Sequence, residues 1–161
     1  MSRALWTAVA LAGAVLVETA LAHLVALPGR YLDPFLLVVV YCALNFGETH
    51  GMLAGTAAGW VQDVMFGGRV LGLSALSKLV VGFSVGLAGG RFLIATTAAR
   101  ALVVLLAAVA DALLVEWLMS VFSIESRGLP PLALAARATL SALVGGLLFA
   151  LVDRRVGRSR P

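Results

Sequence analysis

The feature that most limits what this chain can become is a succession of apolar runs, each broken by a few polar or helix-ending residues. The runs are about residues 4–27, 34–46, 51–66, 71–90, 98–122 and 132–152. Between and after them lie Pro28-Gly29-Arg30, Gly47-Glu48-Thr49-His50, Gly67-Gly68-Arg69, Arg91, a polar stretch ending in Pro130-Pro131, and Asp153-Arg154-Arg155. A helix needs roughly 20 residues to cross about 30 Å of hydrocarbon. Six such spans use roughly 120 positions of the 161 and leave no room for a separate soluble domain. The spacing therefore predicts one all-α membrane domain over residues 1–161, with six transmembrane helices. The second and third runs, of 13 and 16 residues, are the shortest. A tight helical hairpin, a re-entrant pair and one broken helix all fit them.

Composition closes off the alternatives. Hydrophobic residues make up 61% of the chain even before its 17 glycines are counted, and only 12% of residues are charged. A soluble domain of this size has too little interior to hide that much apolar surface. A water-soluble enzyme and a DNA-binding domain are excluded on this ground. A secreted disulfide scaffold is excluded too, because the single Cys42 has no partner for an internal bridge. The net charge of +4 comes from bases that flank apolar runs. It therefore points to membrane topology and anionic headgroups, with no nucleic acid.

Loop arginines set the orientation. With the N-terminus inside, the inner segments hold Arg3, Arg91, Arg100, Arg154, Arg155, Arg158 and Arg160, and the outer ones hold Arg30, Arg69 and Arg127. Seven against three predicts both termini in the cytoplasm. Arg3, an apolar stretch and Ala20-Leu21-Ala22 resemble a cleavable signal peptide. The apolar stretch continues to Leu27, too long for a typical signal core, and reads as a true first helix.

Lipid tails are as apolar as leucine, so helices in a bilayer associate through close packing and polar contacts. Small residues recur every fourth position at Gly51, Gly55 and Gly59, at Gly82, Gly86 and Gly90, and at Ala4, Ala8 and Ala12. These stripes either pack the helices of this chain together or offer a docking face to a partner's helix.

Ionisable groups inside spans are costly and usually paired. Here they are Glu18, His23, Asp63, Lys78, Asp111, Glu116 and Arg137. At 1.5 Å per residue, Asp63 and Lys78 lie roughly 5 and 10 Å deep on two hairpin-connected helices. Glu116 and Arg137 lie roughly 9 and 8 Å deep. Two ion pairs are expected, Asp63 with Lys78 and Glu116 with Arg137, while Asp111 has no obvious mate. A binding cavity opening outward is the alternative use of this cluster. Catalysis is not expected, because the chain lacks H-E-x-x-H, a nucleophile elbow and a phosphate-binding glycine loop. His23 and His50 are isolated, without metal-ligand spacing, so neither a metal nor another cofactor is expected.

The stretch from Gly51 reads G-M-L-A-G-T-A-A-G-W-V-Q-D-V-M-F-G-G-R-V-L-G-L-S-A-L. Its positions Gly55, Gly59, Asp63, Gly67, Gly72, Leu73, Ser74 and Leu76 resemble those of the rod shape-determining protein MreD family, small membrane proteins of the bacterial cell-elongation machinery. Length, span number and a short basic tail agree with the same family. The resemblance implies a non-enzymatic scaffold that binds the transmembrane helix of MreC. It also implies a link between cytoplasmic MreB filaments and peptidoglycan synthesis by RodA with its transpeptidase partner. Asp63 and its glycines would shape the fold's core or the surface that MreC's helix meets. The family is similar in architecture to the substrate-binding S-components of vitamin transporters, which supplies a second reading. In it, the Ala4, Ala8, Ala12 stripe contacts an energising module and the outer polar cluster holds a ligand.

Overall fold

The computed structural model describes residues 3–24, 32–66, 70–91, 96–123, 135, 138–147 and 149. Apart from short caps and turns they are helical, in α1 (Arg3–Leu24), α2 (Pro34–Phe46), α3 (Glu48–Met65), α4 (Leu73–Arg91) and α5 (Thr97–Val121). A further helical stretch, Ala138–Leu147, is α6. Of the breaks seen in the sequence, Gly47 falls between helices, whereas Glu48-Thr49-His50 open α3 and Arg91 ends α4; the others lie outside the described residues.

At the centre of the bundle lies α2. It is apolar all round, as a helix buried on every side must be, and Phe35, Leu36, Val39, Val40 and Cys42 have no solvent-accessible surface. One face joins Ala14 of α1 and Ala58 of α3. The other joins Val81 and Val85 of α4, Val104, Ala107 and Ala108 of α5, and Ala138 and Phe149. Pro34 occupies the first turn of α2, where its missing N–H costs nothing, and the Asp33 carboxylate accepts the Leu36 N–H at 3.0 Å. With 13 residues, α2 rises only about 20 Å and is too short to cross a bilayer unaided. Its N-terminus starts inside protein, where Asp33 is 1% exposed.

The second and third runs are two separate helices joined by a tight turn, which rules out one broken helix. Gly47 alone separates α2 from α3, at φ +89°, a conformation that a side chain would strain. The two helices run antiparallel, so the Phe35 ring at the start of α2 meets the Phe66 ring just past α3, 6.0 Å away.

The glycine stripes of α3 and α4 face each other. A β-carbon on Gly51 would lie 2.5 Å from the Gly82 carbonyl oxygen. On Gly55 it would strike the Lys78 carbonyl, on Gly59 the backbone of Ala75, and on Gly86 the backbone of Glu48. Backbone therefore touches backbone along the whole α3–α4 seam, the closest packing that helices achieve. Gly51, Gly55, Gly59, Gly82 and Gly86 are thus taken up within the chain, whereas a β-carbon on Gly90 would meet open space.

Towards its surroundings the bundle is inverted relative to a soluble protein. Leu16, Leu53, Trp60, Leu106, Trp117 and Leu143 are among many large apolar side chains left more than half exposed. Lipid is the solvent that tolerates such a perimeter.

Candidate functional site: a buried carboxylate–lysine triad and a capped hairpin

Two polar clusters organise the interior, and neither matches the pairs expected from depth. Lys78 on α4 points away from Asp63. Its Nζ donates to Asp33 Oδ2 at 2.8 Å and to Asp111 Oδ2 at 3.4 Å, with all three side chains almost wholly buried. Ser77, one residue earlier, places its hydroxyl 2.8 Å from Asp111 Oδ1 and 3.1 Å from the Asp111 carbonyl. One lysine thus ties the start of α2, the middle of α4 and the middle of α5. The expected Asp63–Lys78 pair is corrected to this triad. Depth measured along each helix ignores which way a side chain faces, and Lys78 faces α2 and α5.

Asp63 does something else. Its Oδ2 accepts the backbone N–H of Gly72 at 2.8 Å and of Ser74 at 3.1 Å. Gly72 immediately precedes α4 and Ser74 lies in its first turn, where N–H groups have no partner within their own helix. A carboxylate there also meets the positive end of the helix dipole. Gly72 makes the approach possible by adopting φ +97°, and a β-carbon there would find open space but a strained backbone. The motif residues thus divide by task. Gly55 and Gly59 bring α3 against α4, Asp63 caps α4, Gly72 turns the chain, and Leu73 is buried behind it. Leu76 faces outward, and Gly67 lies outside the described residues.

The second expected pair cannot be placed in the same way. Glu116 is exposed on α5, and Arg137 falls outside the described residues. Glu18 is buried on α1, and the side chain of His23 is also outside the description. His50 packs edge-on against Phe46 at 6.0 Å. Among the described residues no three His, Cys, Asp or Glu side chains gather to hold a metal.

Asp33 is the residue that sequence reasoning missed. It stands in a break between apolar runs and looked like part of a loop. The signal was present, however: Asp followed by Pro at the head of an apolar run is a helix start. A carboxylate held at such a start is positioned to meet a buried lysine.

A cleft of about 260 Å³ opens between α1, α2 and α6, bordered by Trp6, Val17, Leu37, Tyr41, Val144 and Phe149 among others. Its lining is apolar, unlike the outward polar cavity weighed from the sequence.

Charged groups that hold helices together, an apolar perimeter and an apolar cleft define a small helical membrane protein. Both α4 and residues Ala98–Val121 of α5 are long and apolar enough to cross a bilayer. The family model of the rod shape-determining protein MreD matches residues 4–152, and the chain belongs to that family of membrane proteins with a role in rod shape determination. Neither a curated protein nor a solved structure matches it.

Proposed function

We propose that this protein is a non-enzymatic scaffold of the cell-elongation machinery in the bacterial inner membrane. In this reading it binds the transmembrane helix of MreC and helps couple MreB filaments to peptidoglycan synthesis by RodA with its transpeptidase partner. The bundle is read as six spans in an S-component-like arrangement, with both termini cytoplasmic.

The observation that supports a scaffold is where the chain's polar and small residues go. The triad and Asp63 are engaged inside the fold, and the α3 and α4 stripes close on each other. One small-residue stripe stays open. Ala8 and Ala12 are exposed on α1, flanked by Leu5, Val9 and Leu16, which are 51%, 58% and 71% exposed. A face with small residues between larger apolar ones admits a second helix at short range. We assign the MreC helix to this face.

The test is site-specific crosslinking in membranes. Ala12→Cys, in a Cys42→Ser background, should form a disulfide with a cysteine scanned along the MreC helix, with a period near 3.6 residues. Leu53→Cys on the outer side of α3 should not. Equal crosslinking at both positions, or at neither, overturns the assignment. Purification with a small metabolite, a coupling subunit and ATPases in place of MreC would overturn the scaffold reading in favour of a transporter component.

A further inference from the structure

One side of α5 is buried and the other is bare. Val104, Ala107, Ala108, Asp111 and Leu118 pack into the bundle, yet only 33% of the most apolar stretch within Ala98–Val121 is buried. On the side turned away runs a second row, Leu102, Leu106, Val109, Leu113, Glu116 and Ser120, at alternating steps of four and three residues. Leu102, Leu106 and Leu113 are 55%, 59% and 54% exposed, Val109 is half-buried, and Glu116 and Ser120 are exposed. Steps of four and three repeat every seven residues, the spacing at which one helix sets its side chains into the gaps of another over several turns.

Glu116 is the anomaly in this row. It lies about 10 Å from the middle of α5, inside the about 15 Å half-thickness of the hydrocarbon. Side chains lean towards the N-terminus of their helix, so this carboxylate leans towards mid-membrane and away from the nearer water. Among the described residues none donates a hydrogen bond to it or forms an ion pair with it. Ionisable groups within spans almost always have a partner, and hydrocarbon chains offer none. Asp111, on the opposite side of the same helix, shows the usual arrangement, with Lys78 and Ser77 held against it. A second copy of this chain does not supply the missing cation. Two α5 helices meeting symmetrically through this row would set carboxylate against carboxylate at one depth.

We propose that this row of α5 docks a transmembrane helix of another protein, one with an apolar seam of the same seven-residue period and an Arg or Lys at the depth of Glu116. The basic side chain donates charge-assisted hydrogen bonds to the carboxylate. One polar position in an apolar seam also fixes the register of the two helices. This face is separate from Ala8 and Ala12 of α1 and does not rest on the scaffold reading.

The test uses the full chain with Cys42→Ser and Leu113→Cys, reconstituted in phosphatidylcholine vesicles. The probes are synthetic transmembrane peptides that share a leucine seam and differ at one position, occupied by Arg, Leu or Glu. A cysteine three residues before or after that position, in two versions of each peptide, covers both directions of the helix. Under limited oxidation the Arg peptide should be captured about threefold more than the Leu peptide, the factor equivalent to the about 0.6 kcal/mol typical of a polar contact between membrane helices. Glu116→Gln should remove that preference, and Glu116→Lys should transfer it to the Glu peptide. Leu53→Cys on α3, outside the row, should show no preference. Thermal unfolding of Glu116→Gln should match that of the parent, because no described residue leans on the carboxylate. Equal capture of the three peptides, or a preference that survives Glu116→Gln, would overturn the proposal. A preference abolished by added phosphatidylethanolamine would overturn it too, by making an ammonium headgroup the occupant. So would a loss of stability in Glu116→Gln that Arg137→Gln shares without adding to it, the mark of an ion pair inside the chain.

Discussion

At the scale of single residues, Asp63 and Lys78 do unlike work. Asp63 serves backbone: two N–H groups at the head of α4, those of Gly72 and Ser74, converge on one oxygen. Asp63→Ala should lower stability by about 1–2 kcal/mol, the range for a lost helix cap. Asp63→Asn, which keeps an accepting oxygen, should cost less, and thermal unfolding in detergent orders the three proteins. Lys78 serves charge. Removing it takes one ammonium away from two buried carboxylates, so Lys78→Met should destabilise by about 3–5 kcal/mol. Adding Asp33→Asn and Asp111→Asn to that variant should recover at least half of the loss, because the uncompensated charges go with the lysine. A triple variant no more stable than Lys78→Met would show that the charges are not what the triad balances.

At the scale of elements, the α3–α4 seam is set by backbone contact and cannot yield by moving a side chain. Gly55→Ala should fall at or above the upper end of the about 1–3 kcal/mol typical of overpacking, since the new methyl meets the Lys78 carbonyl. Gly13 on α1 has nothing within 4 Å of its would-be β-carbon. Gly13→Ala should be neutral, or stabilising by up to about 1 kcal/mol through helix propensity. Melting curves of the two variants, run side by side, compare a glycine that packs with one that does not. The seam also explains why period-four glycines were readable in sequence while their use was not. Spacing shows that a face is smooth, but a bundle must form before that face has a neighbour.

At the scale of the whole molecule, the proposed six spans with cytoplasmic termini place Thr96 and Ser123, at opposite ends of α5, on opposite sides of the membrane. In a Cys42→Ser background, Ser123→Cys should react with a membrane-impermeant maleimide in intact spheroplasts. Thr96→Cys should react only after permeabilisation. The reverse pattern would invert the topology, and labelling of both from outside would remove α5 as a span. The short α2 makes sense at this scale as well. Its 13 residues cannot cross hydrocarbon alone, yet its N-terminus is capped by Asp33 and met by Lys78. Broken helices survive at membrane depth where protein, not lipid, surrounds the ends.

The amino-acid sequence by itself determined the helical class, the lipid environment, the helix breaks and the family. The first three follow from quantities that add along the chain, apolar length and charge per run, and the family is legible in the motif from Gly55 to Leu76. Only the tertiary structure decided which charges meet. Asp33, Lys78 and Asp111 are separated by 45 and 33 positions, and their meeting depends on the rotation of α4 about its own axis. That rotation is set by the α3 seam, where Gly55 and Gly59 press on the backbone at Lys78 and Ala75. A one-dimensional measure such as depth has no term for it. Packing fixes the angle, and the angle chooses the partner.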